Sequence, residues 1–119
     1  MMAEFRRLII ASGVMCHYID MADLYACFDR RITSYNFLRF SERQWRWLNN
    51  DLQYLNRLRI TDYRRLHVAA GFEICQEVNN PGSLDKLATV PLAPEFRHYP
   101  RAELAVRNAW IVSRPTARP

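Results

Sequence analysis

Lysine is almost absent from this chain. Lys86 stands alone beside sixteen arginines, within a basic total of 17 against 12 acids and a net charge of +5. Nucleic-acid binders ordinarily cluster both kinds of cation, whereas these arginines are scattered from Arg6 to Arg118. Scattered charge reads as a solvated surface, and no nucleic-acid partner is expected. Glycine is scarce as well: Gly13, Gly71 and Gly82 are the only three, and no G-x-G occurs. That removes the glycine-rich turn that lets a backbone approach a phosphate or dinucleotide. The three cysteines, Cys16, Cys27 and Cys75, are odd in number and lack C-x-x-C spacing. A disulfide framework and the known zinc templates are excluded, no metal is expected, and buried reduced thiols are the expectation.

Long apolar runs are missing too. Met1 to Arg7 is a basic start and Leu8 to Met15 a short apolar stretch, but no small-x-small cleavage site follows it. No window approaches the roughly 20 apolar residues of a membrane span, so a cytoplasmic protein without membrane contact is expected. What is present is globular material: 119 residues, 50% hydrophobic and 24% charged. That length suits one domain, with a core that hides roughly two-thirds of the unfolded chain's surface.

The pattern along the chain predicts an α/β domain. Phe5, Leu8 and Ile9 share a helix face, Gly13 is placed to end that helix as a left-handed cap, and Val14 to Asp20 reads as a strand apolar on both faces. This gives a first helix and strand over 3–20. An aromatic-rich helical insertion over 24–58 follows, and Ser41 to Leu58 is its clearest helix. Ser41 and Gln44 form a capping box, and Trp45, Leu48, Leu52 and Leu55 fall on one face, with Tyr54 and Leu58 beside them. Trp47 cannot share that face. A helix capped by Thr61 and ended by Gly71 leads into a strand from Phe72 to Val78, with Phe72, Ile74 and Val78 inward, so that helix and strand span 61–78. Asn79-Asn80-Pro81-Gly82 signals a turn, and 79–104 is an irregular connection with a short helix from Arg101 to Leu104. A last strand occupies 106–113. The expected sheet is small, three-stranded and mixed.

Four passages of this sequence resemble, in order, the C-terminal part of bacterial class I S-adenosylmethionine-dependent methyltransferases of the type 11 and type 12 kind. Ala11-Ser12-Gly13 stands where Pro-Gly-Gly is common before a strand such as Val14 to Asp20. Asn36-Phe37-Leu38-Arg39-Phe40-Ser41, Trp45 and Asn56-Arg57-Leu58-Arg59 look like the insertion of one branch. Tyr63 and Leu66 to Ala70-Gly71-Phe72 is similar to an A-G-F passage from helix to strand. Glu103-Leu104 to Arg114-Pro115 resembles the last strand.

The resemblance implies a Rossmann-like fold of seven strands, of which this chain holds the fifth, sixth and seventh. It also implies S-adenosylmethionine as cofactor, bound on the first four strands and their glycine-rich turn, which this sequence lacks. The acceptor side remains. On that ground His17, Tyr18, Asp20, Asn56, Arg57 and Arg59 are the candidate substrate-binding residues. A His or Asp there takes a proton from an acceptor hydroxyl or amine, and Arg holds a carboxylate or phosphate. No dedicated base is required, because methyl transfer depends mostly on positioning.

The function expected from the resemblance is therefore a truncated methyltransferase acting on a small-molecule methyl acceptor, with self-association through the unpaired strand 14–20. A second reading is a small interaction module using that strand edge or an exposed Trp47. A third, disfavoured by the scattered arginines, is a nucleic-acid binder using the helices between Ser41 and Ala70.

Overall fold

The computed structural model describes residues 1–49 and 55–117. In chain order the elements are α1 (Met2–Leu8), β1 (Met15–Asp20), α2 (Glu42–Leu48), α3 (Ile60–Ala69), β2 (Phe72–Asn80), α4 (Leu84–Ala88), α5 (Arg101–Leu104) and β3 (Asn108–Pro115). Short 3₁₀ turns at Leu24–Cys27, Asn36–Arg39 and Pro94–Phe96 punctuate the connections. The protein is mixed α/β, and among the described residues no helix is long and apolar enough to cross a membrane.

The sheet order is β1-β3-β2, and both pairings are antiparallel. This corrects the expected mixed sheet. β1 and β2 do run in the same direction, but β3 enters between them against both, so no parallel ladder forms. β1 is left at an edge, with no strand among the described residues paired on its outer side.

Several local expectations meet their outcomes here. Ser41 and Gln44 do form the capping box, with Gln44 N–H donating to Ser41 Oγ at 3.2 Å and Ser41 N–H to Gln44 Oε1 at 2.9 Å. The helix it opens ends at Leu48, because Asn49 turns extended (φ −76, ψ 140). The Asn49 amide then does the work of a backbone: its Nδ2 donates to Leu55 O and its Oδ1 accepts from Leu55 N–H, both at 3.0 Å. Leu55 and Leu58 are consequently not helical, while Leu52 and Tyr54 lie outside the described residues. Gly13 is not a left-handed cap either, since only Gly71 and Gly82 have positive φ. α1 has already ended in an extended Ile9.

At Gly71 the expectation fits. With φ +85 it closes α3, its N–H donating to Val68 O at 3.1 Å. The start of α3 differs: Asp62, not Thr61, supplies the cap, its Oδ2 accepting from Arg59 N–H at 2.9 Å. Within the connection expected to be irregular, α4 forms because Ser83 caps it, accepting from Lys86 N–H at 3.2 Å.

A bulge explains the largest change of face. Between Ile74 and Gln76 the register of β2 against β3 slips by one residue, leaving Cys75 unopposed. A one-residue insertion swaps the faces of everything beyond it. Phe72 is therefore buried as expected, but Val78 turns outward opposite Trp110, and Glu77 and Asn79 turn toward α3. β1 is likewise two-faced: Met15 is buried, whereas Cys16 and Tyr18 are exposed. All three cysteine side chains are exposed, which corrects the buried-thiol expectation.

Two cores result. Met21, Ile60, Val106, Ala109 and Ile111 pack α3 onto one face of the sheet. Tyr35, Phe37, Leu38, Trp45, Leu87, Phe96 and Leu104 pack the insertion against the 84–105 connection, away from the sheet. The opposite sheet face carries no helix in either cluster, and there Tyr18, Trp110 and Val78 form a row about half exposed (52%, 51% and 53%).

Candidate functional site

A cleft lies between α1 and α3 over the last residues of β1. α1 lies over one side of it, with the Phe5 and His17 rings 5.4 Å apart between centroids. The start of α3 and the segment before it form the other side. The cleft has a volume of about 750 Å³ and its walls include Phe5, Leu58, Tyr63, Leu66 and His67. Four of the six candidate residues, His17, Tyr18, Asp20 and Asn56, meet in its lining.

Backbone geometry places each of them. Asp20 ends β1 and closes an Asx turn, its Oδ1 accepting from Ala22 N–H at 3.0 Å. Asn56 Oδ1 accepts from Leu58 N–H at 3.1 Å and from the Tyr63 hydroxyl at 3.2 Å, tying the segment before α3 to the helix. His67, one helical turn beyond Tyr63, was not singled out for this site by the sequence. It is buried, its Nδ1–H donates to Tyr63 O at 2.7 Å, and its Nε2 has no hydrogen-bond partner. The i, i+4 spacing of Tyr63 and His67, with Asn56 beside Tyr63, was the available signal.

His17 and His67 lie edge to face, 6.1 Å between centroids. Burial, and secondarily the neighbouring His67, pushes the His17 pKa below its ordinary 6.5. The unfolded chain therefore binds the His17 proton more readily than the folded one. The stability that His17 contributes is complete above 6.5 and is lost as pH falls through its lowered value. Urea midpoints measured between about pH 7 and about pH 5 should fall, and His17→Phe should flatten that dependence. An equally steep fall in the variant would place the titration elsewhere.

The two arginines lie elsewhere. Arg57 is buried between the rings of Trp45 and Phe96, its guanidinium carbon 5.1 and 4.8 Å from their centroids. Its Nη1 donates to Phe37 O (3.0 Å) and Phe40 O, and its Nη2 to Glu42 (2.9 Å). Burial lowers its pKa, and Glu42 partly restores it. Arg59 is wholly buried. Its Nη2 donates to Met21 O at 2.7 Å and Val106 O at 3.4 Å, joining the end of β1 to the approach to β3, while Nε and Nη1 have no hydrogen-bond partner among the described residues and the guanidinium lies over the Phe37 ring at 5.7 Å. Burial pushes the Arg59 pKa down to about 10. Both cations hold carbonyls of the chain itself. Neither lines the cleft.

The glycines do not fit a nucleoside cofactor. Gly13 stands between α1 and β1, Gly71 caps α3, and Gly82 is packed against Ala105 O and the Tyr35 hydroxyl. Gly82 does lie between β2 and α4, but it is packed under Ala105 O and the Tyr35 hydroxyl, which leaves no room beside its backbone for S-adenosylmethionine. Among the described residues no group of three or more His, Cys, Asp or Glu side chains can hold a metal ion. Compared with known proteins, the chain matches no family model, no curated protein and no solved structure.

Proposed function

We propose that this chain is the acceptor-side part of a methyltransferase-like α/β sheet, its cofactor-side strands supplied by sequence beyond the chain. The observation that carries this reading is the state of β1. β1 and β2 run parallel through a connection containing α3, β3 enters between them, and among the described residues no strand pairs with the outer edge of β1. Two parallel strands joined by a helical crossover, with one strand antiparallel, are the material of a doubly wound sheet. If β1, β2 and β3 correspond to the fifth, sixth and seventh strands, the seventh lies between the other two and the fourth belongs on the open edge. In a sheet completed by parallel strands, helices of the added part would cover the Tyr18–Trp110–Val78 face, since parallel sheets are covered on both sides. The acceptor cleft lies beside the carboxyl end of β1, where open α/β sheets bind ligands.

The test is the DNA upstream of the Met1 codon, read in all three frames. The expected result is a strand followed by a glycine-rich turn, in frame for an extended enzyme or out of frame for a broken gene. If no frame contains such a unit, the reading fails.

A second reading, a small docking module, is favoured by Trp47. It is 87% exposed on α2, while Trp45 two residues earlier is buried. Large exposed aromatics are the usual anchors of protein interfaces.

A further inference from the structure

The cleft's chemistry narrows what it can hold. The arginines that would have received a carboxylate or phosphate are locked in the core, and among the described residues no Arg or Lys side chain lines the cleft. Among the described residues, Asp20 is the only carboxylate in the lining, and the only fixed cation there is the α-amino group of Met1 at its rim. Its Oδ1 is engaged by Ala22 N–H, and no ion pair of the described residues includes it. Around it the walls are mostly apolar, with Phe5, Leu58 and Leu66 giving a body of hydrocarbon surface. A pocket with apolar walls and one unpaired carboxylate at its mouth selects a cation with an apolar body. An anion finds no guanidinium or lysine ammonium among the described lining residues, only the chain's own terminal amine, and meets Asp20 as a repulsive neighbour.

We infer that the cleft binds a small apolar primary amine, its ammonium on Asp20 and its hydrocarbon or aromatic body among Phe5, Leu58 and Leu66. This deepens the acceptor-side reading by naming the ligand class of the same cleft, but it rests on direct binding and needs no methyl transfer. The neutral polar groups inside, His17 and the amide of Asn56, are suited to an uncharged hydrogen-bonding substituent on that body.

The test is a two-dimensional ¹H–¹⁵N NMR titration of the whole chain with three probes of one shape: 2-phenylethylamine, 2-phenylethanol and 3-phenylpropionate. The amine should shift the amides of β1 and of the start of α3 saturably at millimolar concentration. It should bind about tenfold more tightly than the carboxylate, as one partly exposed ion pair against one repulsion implies. Asp20→Asn keeps the acceptor of the Asx turn, so the fold is retained. It should lower the amine's affinity to that of the alcohol, a loss of about fivefold. Equal binding of amine and carboxylate, amine-induced shifts elsewhere on the chain, or no saturation by any probe would overturn the inference. Those outcomes leave the upstream reading frames untouched, so the two readings fail separately.

Discussion

Gly82→Ala should lower the melting temperature by about 10 °C or more, the largest effect expected of any single methyl group in this chain. Two costs combine. Gly82 sits at φ +65, where a side chain is strained by about 1–2 kcal/mol. An added Cβ would also run into Ala105 O and the Tyr35 hydroxyl. These atoms cannot step aside. The Tyr35 hydroxyl donates to Ala105 O at 2.6 Å and accepts from Ser83 N–H at 2.9 Å, inside the larger core. Overpacking a fixed site adds about 1–3 kcal/mol, so about 2–5 kcal/mol is the expected total. Gly13→Ala is the control. Its nearest neighbour is the Ile9 side chain and its φ is not positive, so a loss of well under half as much is expected. Thermal melts followed by circular dichroism decide it, and equal melting of the Gly82 variant and the parent would contradict the packing described.

Arg57→Ala should cost about 3–4 kcal/mol in urea unfolding, a structural effect at a position the family resemblance assigns to substrate. The truncation leaves Phe37 O without that donor, removes the cation from between Trp45 and Phe96, and frees Glu42. Arg57→Met refills most of the volume without the hydrogen bonds, and should recover about half of the loss. The same two variants separate roles. If Arg57 served a ligand at the surface, alanine would leave stability within about 0.5 kcal/mol of the parent.

Why the sequence revealed some of this and concealed the rest follows from the range of the interactions. The Ser41–Gln44 box, the Gly71 cap and the Arg101–Leu104 helix depend on residues within one turn, and all three were legible. The end of α2 was half legible. Asn49, Asn50 and Asp51 are poor helix formers, but the Trp45–Leu48–Leu52–Leu55 spacing outweighed them, and the bond from Asn49 to Leu55 has no spacing of its own. The bulge at Cys75 had no local signature at all. Its register is set by β3, more than thirty residues later, and it alone sends Val78 outward. The arginines illustrate the same limit. Asn56, Arg57, Leu58 and Arg59 alternate as a loop would, but Phe96 and Val106, far along the chain, decide that both arginines point inward. His17, Tyr18 and Asp20 were easier, because they sit on one strand whose end faces the cleft.

The claim on which the rest depends is that the outer edge of β1 is open to another strand, and amide hydrogen exchange reads it directly. Met21 N–H donates to Arg107 O, so by alternation Ile19 and His17 bond inward to β3 while the N–H groups of Cys16, Tyr18 and Asp20 face outward. In dilute solution, Tyr18 and Cys16 should exchange at least ~100-fold faster than His17 and Ile19, giving an alternating pattern along one strand. Uniform protection from Cys16 to Asp20 at the same dilution would mean that this edge is already paired, and the account of β1 would be contradicted.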